Sequence, residues 1–350
     1  MQRANRPCRF VGAVILAAYL WGVDFRSMWQ SLKEARYAWV APIVAANIFS
    51  IYTRAMRWRI FLWNTKPLSP GTLFVTQSIG FFAILAVPAR MGEVVKMFLV
   101  HKKDGVPFGA AAATVLLERV FDLVTVLLML VWVLATFTLG DKTVPIFGAE
   151  LNISDFVATA GRGFAVLCAA LVVFIVALAF APAPVHRLTE TACRVLPRVL
   201  ADKLLGLLHS FEDGLSVLKT PTQLFWSIVW TLATWTAIVS TEYMLFFAFE
   251  MPFGPGAAVA LCAILALAVA IPGLPGFVGV FQAACVIVFT GLLGHPRQAG
   301  VDAYANLLWV VQVVPLLVMG YFFLVKVGLS FSRLRHVEEE INTEGRDAFA

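Results

Sequence analysis

Apolar runs separated by short charged or Pro/Gly-rich turns cover the chain from about residue 10 to residue 325. A helix needs roughly twenty apolar residues to cross a bilayer. Runs at 109–139, 156–181, 223–249 and 303–325 meet that length; the run at 10–23 is short and is read as a span extended at its ends, and the run at 39–52 is read as the second span. Two further pairs of runs are too short: 73–87 with 94–100, and 257–271 with 277–293. Each pair is broken at Pro/Gly sequence, AVPARMGE around Pro88 and AIPGLPGF around Pro272. Backbone broken at membrane depth is tolerated only when it is buried in protein or lines a cavity. The pattern therefore predicts an all-α polytopic membrane protein, with about six full transmembrane helices and two re-entrant helical hairpins. Residues 25–37 alternate Trp29, Leu32 and Tyr37 with Arg26, Lys33, Glu34 and Arg36, the mark of a helix lying on the membrane surface. Residues 182–221 form the largest polar segment, also expected to hold surface-lying helices.

The same layout occurs twice, over 10–150 and 151–329, within a single membrane domain, followed by a polar tail, 330–350, expected to be disordered and cytoplasmic. Each half crosses an odd number of times, so the halves should be inverted. Paired short, interrupted segments at matching positions point to the binding site of a transporter. Pro88, Gly92, Pro272, Gly273, Pro275 and Gly276 are the expected backbone breaks. Against this stands the plainer reading that short glycine-rich apolar runs resemble one another by chance.

Composition narrows the class. The chain is 60% hydrophobic and 14% charged, with a mean hydropathy of +0.84; a soluble domain carries about a quarter charged residues. The net charge of +6 needs no nucleic acid to explain it, because cytoplasmic loops collect Lys and Arg. On this topology 20 of the 27 Lys and Arg fall on the cytoplasmic side and 6 outside. Both termini are then cytoplasmic, in the inner membrane of a prokaryote. Arg3, Arg6 and Arg9 ahead of the first run imitate a signal peptide, but no small-residue cleavage site follows, so a retained span is expected. The five cysteines form no CxxC, and neither a disulfide framework, a metal site nor a cofactor is expected. No HExxH, GxSxG, P-loop or DxD string occurs, so no catalytic set is assigned and an enzyme is not expected.

Charge inside apolar sequence is costly and functional by default. Arg90, Glu93 and Lys96 are spaced three apart and share a face if a helix restarts at Arg90. In that reading Arg90 and Lys96 hold a phosphate, for which the planar fork of arginine is suited, and Glu93 orients them or binds an amine. The bland alternative is a solvated charge cluster at the membrane surface. Glu118, Arg119 and Asp122 lie inside the run 109–139, with Arg119 able to pair with Asp122; they contact substrate, lock helices together, or do both. Arg54, Arg57 and Arg59 are read as the cytoplasmic exit of the second span. Glu242 is placed near the outer interface without a role. Gln282, Asn306 and Gln312 are candidate polar lining in the second half, with interhelical hydrogen bonding the plainer reading.

At PARMGEVVK, the basic turn HKKDG, LLERVFD and PGLPGFVGVFQ, the chain resembles the transmembrane region of lysylphosphatidylglycerol synthases. This is the flippase-like domain of the multiple peptide resistance factors, also found as stand-alone proteins. The resemblance covers about residues 10–329 and implies movement of a phospholipid, or a lipid-linked headgroup, between leaflets. Full-length synthases append a soluble aminoacyl-transfer domain, and here a short polar tail follows, so aminoacylation is not expected. The partners expected are membrane lipids, with a lipid- or glycan-synthesis enzyme as a further one. In the expected mechanism the headgroup enters a polar cavity while the inverted halves rock. The alternatives are a membrane-embedded lipid-modifying enzyme with Glu93 or Glu118 as base, and a non-transporting member of a synthesis complex.

Overall fold

A computed structural model describes residues 19–20, 23–86, 92–137, 143–146, 149–152, 215–270 and 275–328, with isolated helical residues between 162 and 205. Most of the run 156–181, the tail, most of 10–23 and most of 182–221 lie outside the described residues, as do Pro88, Arg90, Pro272 and Gly273.

The first helix with both ends among the described residues, α1 (Phe25–Glu34), starts where Asp24 caps it. One Asp24 carboxylate oxygen accepts from the backbone N–H groups of Arg26 (3.1 Å) and Ser27 (3.2 Å), and the other from the Ser27 hydroxyl (2.7 Å). These bonds, the Ser27 hydroxyl first, hold the Asp24 carboxyl below the usual carboxylate range. Phe25 and Trp29 are exposed on this helix, with Lys33 over the Trp29 ring, as a surface-lying helix requires.

A 3-10 turn at Tyr37–Trp39 leads into α2 (Val40–Leu62), which runs ten residues past the expected end of the second span. Arg54, Arg57 and Arg59 are thus inside a helix and not beyond it, because Ala55, Met56, Trp58 and Phe61 sustain its apolar period. Next come α3 (Pro70–Ala86), with the Ser69 hydroxyl accepting from the Thr72 N–H, and α4 (Gly92–Asp104), whose last turn carries His101, Lys102 and Lys103. Cations there complement the helix dipole. These two short helices pack on each other, and a Cβ at Gly92 would lie 2.1 Å from the Gly80 carbonyl oxygen and 2.3 Å from Ile84 Cγ1. Gly92 is needed for the approach, not for a backbone angle.

Three helices among the described residues are long and apolar enough to cross a membrane: α5 (Phe108–Thr136), α6 (Pro221–Ala248) and α9 (Ala299–Lys326). They match three of the runs read from the sequence, and the protein is a membrane-embedded helical protein. Between α6 and α9 lie α7 (Pro255–Ala270), a 3-10 turn at Pro275–Phe277, and α8 (Val280–Val286), which continues as a π-turn over Ile287–Leu292. Gly276 and Gly279 have φ of +69° and +85°, and Phe277 between them has +59°. Gly276 therefore serves the turn itself, unlike Gly92. One departure from helix occurs among the described residues. The loop after α5 holds an antiparallel pair, β1 (Thr143–Ile146) and β2 (Ala149–Asn152), with Thr143 opposite Asn152.

The described residues form two compact units. The first draws on Met1–Ser50, Leu123–Leu167 and Thr234–Leu317. Its core is aromatic: Tyr304 stacks on Phe246 at 5.3 Å and meets Phe289 edge-on at 5.1 Å. Pro315 interrupts α9 in this unit. Proline has no N–H for the carbonyl four residues back, and the Asn47 amide instead donates to that Val311 oxygen (3.0 Å) and to the Gln312 oxygen (2.9 Å). The second unit draws on Ile51–Asp122, Cys168–Ala233 and Val318–Ala350. Its core includes Trp58, Phe61, Leu73 and Leu117, and a Cβ at Gly320 of α9 would lie 2.5 Å from the Ser78 carbonyl oxygen of α3.

Candidate functional site

In the second unit three helices, α2, α4 and α5, converge their charged side chains in the interior. The small residues of FGAAAATVLL at the start of α5 let neighbours approach closely. Half a turn or more beyond them come Glu118, Arg119 and Asp122. Asp122 accepts from Arg57 at 2.8 Å and Arg54 at 3.2 Å, both on α2, and forms an ion pair with Arg119 at 3.3 Å on its own helix. Arg54 and Arg57 are three apart, so they project from one face toward the same carboxylate. Arg57 also donates to the Thr231 hydroxyl of α6 at 3.2 Å. From α4, Glu93 pairs with Arg119 at 3.3 Å and Lys96 pairs with Glu118. The Lys96 ammonium sits 4.3 Å from the ring centroid of Trp58, whose indole N–H donates to the Thr114 hydroxyl at 3.0 Å.

Arg57 and Glu118 are 0% exposed, and Arg54, Lys96 and Asp122 are buried. Among the described residues the cluster holds four cations (Arg54, Arg57, Lys96, Arg119) and three anions (Glu93, Glu118, Asp122), one positive charge in excess. Its hydrogen bonds are incomplete: Arg57 Nε and Nη2, Arg119 Nε, Glu93 Oε2 and Glu118 Oε1 find no partner among the described residues. A buried charge is stable only when paired and hydrogen-bonded. Such a cluster can hold an anion, with Arg57 offering two unused donor atoms.

The structure thus brings together Glu93, Lys96, Glu118, Arg119 and Asp122, five of the six residues expected to bind substrate; the sixth, Arg90, lies outside the described residues. Arg54 and Arg57 were missed. Their signal was present: a spacing of three within a helical apolar period that has no stop before Asn64 and Pro67. In sequence they read as surface charge, because a run of arginines after a span ordinarily marks a cytoplasmic loop.

The second-half polar residues lie in the first unit, where they tie helices together. Gln282 on α8 accepts from the Gly279 N–H at 2.8 Å and donates to Asn306 on α9 at 3.4 Å. Asn306 in turn donates to the Tyr19 hydroxyl at 2.7 Å and to the Asp302 carbonyl at 2.8 Å. Gln312 on α9 donates to the Thr241 hydroxyl on α6 at 3.2 Å. Trp309 holds the turn at Pro275–Phe277 through a 2.6 Å bond to the Gly276 oxygen. Glu242, expected near an interface, is buried at 1% exposure.

The chain is 26% identical over 347 residues to the glycosyltransferase AglD of Haloferax volcanii, an alignment that takes in 93% of this chain. The chain spans about half the length of that curated relative, 54%. No solved structure matches it. The pattern described as the lysylphosphatidylglycerol synthase TM region matches residues 9–329, so the chain belongs to that family.

Proposed function

We propose that the protein moves the headgroup of an anionic phospholipid, or of a lipid-linked molecule, between the leaflets of the cytoplasmic membrane. The observation that carries this reading is Arg57. Its guanidinium is buried, in a cluster with one excess positive charge, and two of its three nitrogens bond no described group. A phosphate would supply the missing charge and acceptors, and arginine binds phosphate through a planar fork that lysine lacks. Glu93 and Arg119 complete the headgroup contacts, and the acyl chains stay in lipid. Six spans, two re-entrant hairpins formed by α3–α4 and α7–α8, and an inverted repeat give the frame in which such a site alternates between the two sides. Both termini are cytoplasmic, in the inner membrane of a prokaryote, and no covalent step is required.

The test is flipping of a fluorescent phosphatidylglycerol in proteoliposomes. Arg57→Lys keeps the charge that Asp122 needs and removes the fork; it should fold and lose most flipping. Glu93→Ala should also lose it. Wild-type rates in both variants would refute the site. A second reading, a lipid-linked sugar as cargo or a glycan-synthesis enzyme as partner, is favoured by the likeness to the glycosyltransferase AglD. Native mass spectrometry of the lipid that co-purifies decides between a phospholipid and a glycolipid.

A further inference from the structure

Four carboxylates are buried among the described residues: Glu118, Asp122, Glu242 and Asp302. Three have a cation: Lys96 for Glu118, arginines for Asp122, and Arg297 at 3.1 Å for Asp302. Glu242, on the membrane-crossing helix α6, has no ion pair among the described residues. The described side chains that α7, α8 and α9 bring to it are uncharged. The side chains of Gln312 on α9 and Cys262 on α7 hydrogen-bond its carboxyl. Tyr304 on α9 donates to its backbone oxygen at 2.9 Å, and the Cys285 thiol of α8 lies near it. All four of those residues are partly or wholly buried. The second carboxyl oxygen, Oε2, has no partner among the described residues.

An unpaired ionised carboxylate in such a place costs several kcal/mol, and a group so placed ordinarily neutralises itself by taking up a proton. The first unit makes its neutral hydrogen bonds with amides, at Asn47, Gln282, Asn306 and Gln312. A glutamine at 242 would serve that purpose equally well. What the carboxyl adds is the ability to release a proton.

We propose that Glu242 is a proton-binding site, neutral in this conformation with the proton on Oε2, and that it gives up and regains that proton once per transport cycle. A proton gradient across the membrane then drives lipid movement. The coupling rests on the proposed lipid translocation; the proton-binding site does not.

Two measurements separate them. Infrared difference spectra of wild type against Glu242→Gln, in lipid at neutral pH, should show one protonated-carboxyl C=O band that the variant lacks. Absence of that band overturns the proton site whatever the transport assay gives. In phosphatidylethanolamine/phosphatidylglycerol liposomes, an imposed gradient of one pH unit should shift the leaflet ratio of a fluorescent phosphatidylglycerol about tenfold if one proton moves per lipid. Glu242→Gln, an uncharged isostere, should not respond to the gradient. Equal responses, or none in a wild type that flips lipid, overturn the coupling. If the wild type flips nothing under any gradient, the translocation reading fails and takes the coupling with it, and the infrared band alone decides whether Glu242 holds a proton.

Discussion

Asp122 faces three guanidinium groups, from Arg57, Arg54 and Arg119, at 2.8, 3.2 and 3.3 Å. Asp122→Asn keeps the volume and one acceptor oxygen but removes the charge, so the cluster goes from one excess positive charge to two. Removing one partner of a buried ion pair costs about 3–5 kcal/mol, because the remaining charge is left uncompensated. With the unfolding entropy typical of globular chains, that is a fall in Tm of about 4–7 °C for a chain of this length. Thermal unfolding of the nanodisc-embedded protein, followed by tryptophan fluorescence, reads it. The charge argument also makes a stricter claim. Arg54→Met keeps an apolar stem against the Phe81 ring, over which the guanidinium lies at 5.4 Å. Combined with Asp122→Asn, it restores the original excess charge. The double variant should be more stable than the sum of the two single changes by about 1–3 kcal/mol. Strict additivity, or an Asp122→Asn protein as stable as wild type, would falsify the view that these charges are mutually compensating in the interior.

Asn47→Leu should destabilise by about 1–3 kcal/mol by orphaning the Val311 carbonyl, and Pro315→Ala in the same chain should recover part of it by restoring the helical N–H; a double variant no better than Asn47→Leu would contradict that role. Gly92→Ala should cost at least about 1–3 kcal/mol by overpacking against Gly80 and Ile84, whereas Gly71→Ala, whose added Cβ meets nothing closer than 3.9 Å, should be near neutral; Tm of the two variants checks both. The Asp24 carboxyl is held below its unfolded value, so its contribution is present above the ordinary aspartate range and is lost as pH falls through the depressed folded value. Hydrogen exchange over Phe25–Glu34 should stay protected down to that more acidic range, and Asp24→Asn should remove the pH dependence.

Much of this protein follows from one-dimensional pattern. The runs at 109–139, 223–249 and 303–325 predicted α5, α6 and α9 to within a few residues, because twenty apolar residues have few fates other than a membrane helix. The shortness of α3, α4, α7 and α8 was equally visible, as was the pairing of Arg119 with Asp122, which needs only helical spacing. The sequence also marked Gly92 and Gly276 as special, though not that one serves close packing and the other a left-handed turn. What the tertiary structure decided was which charges meet. Arg54 and Arg57 sit more than sixty residues from Asp122, and an arginine reads the same in sequence whether it faces solvent or a buried carboxylate. Glu242 shows the converse. Nothing local distinguishes a paired acid from an unpaired one; only the neutral neighbours that α7, α8 and α9 bring to it do. Periodicity fixes where each helix lies along the chain, but the energy of a charge depends on its dielectric and its partners in three dimensions.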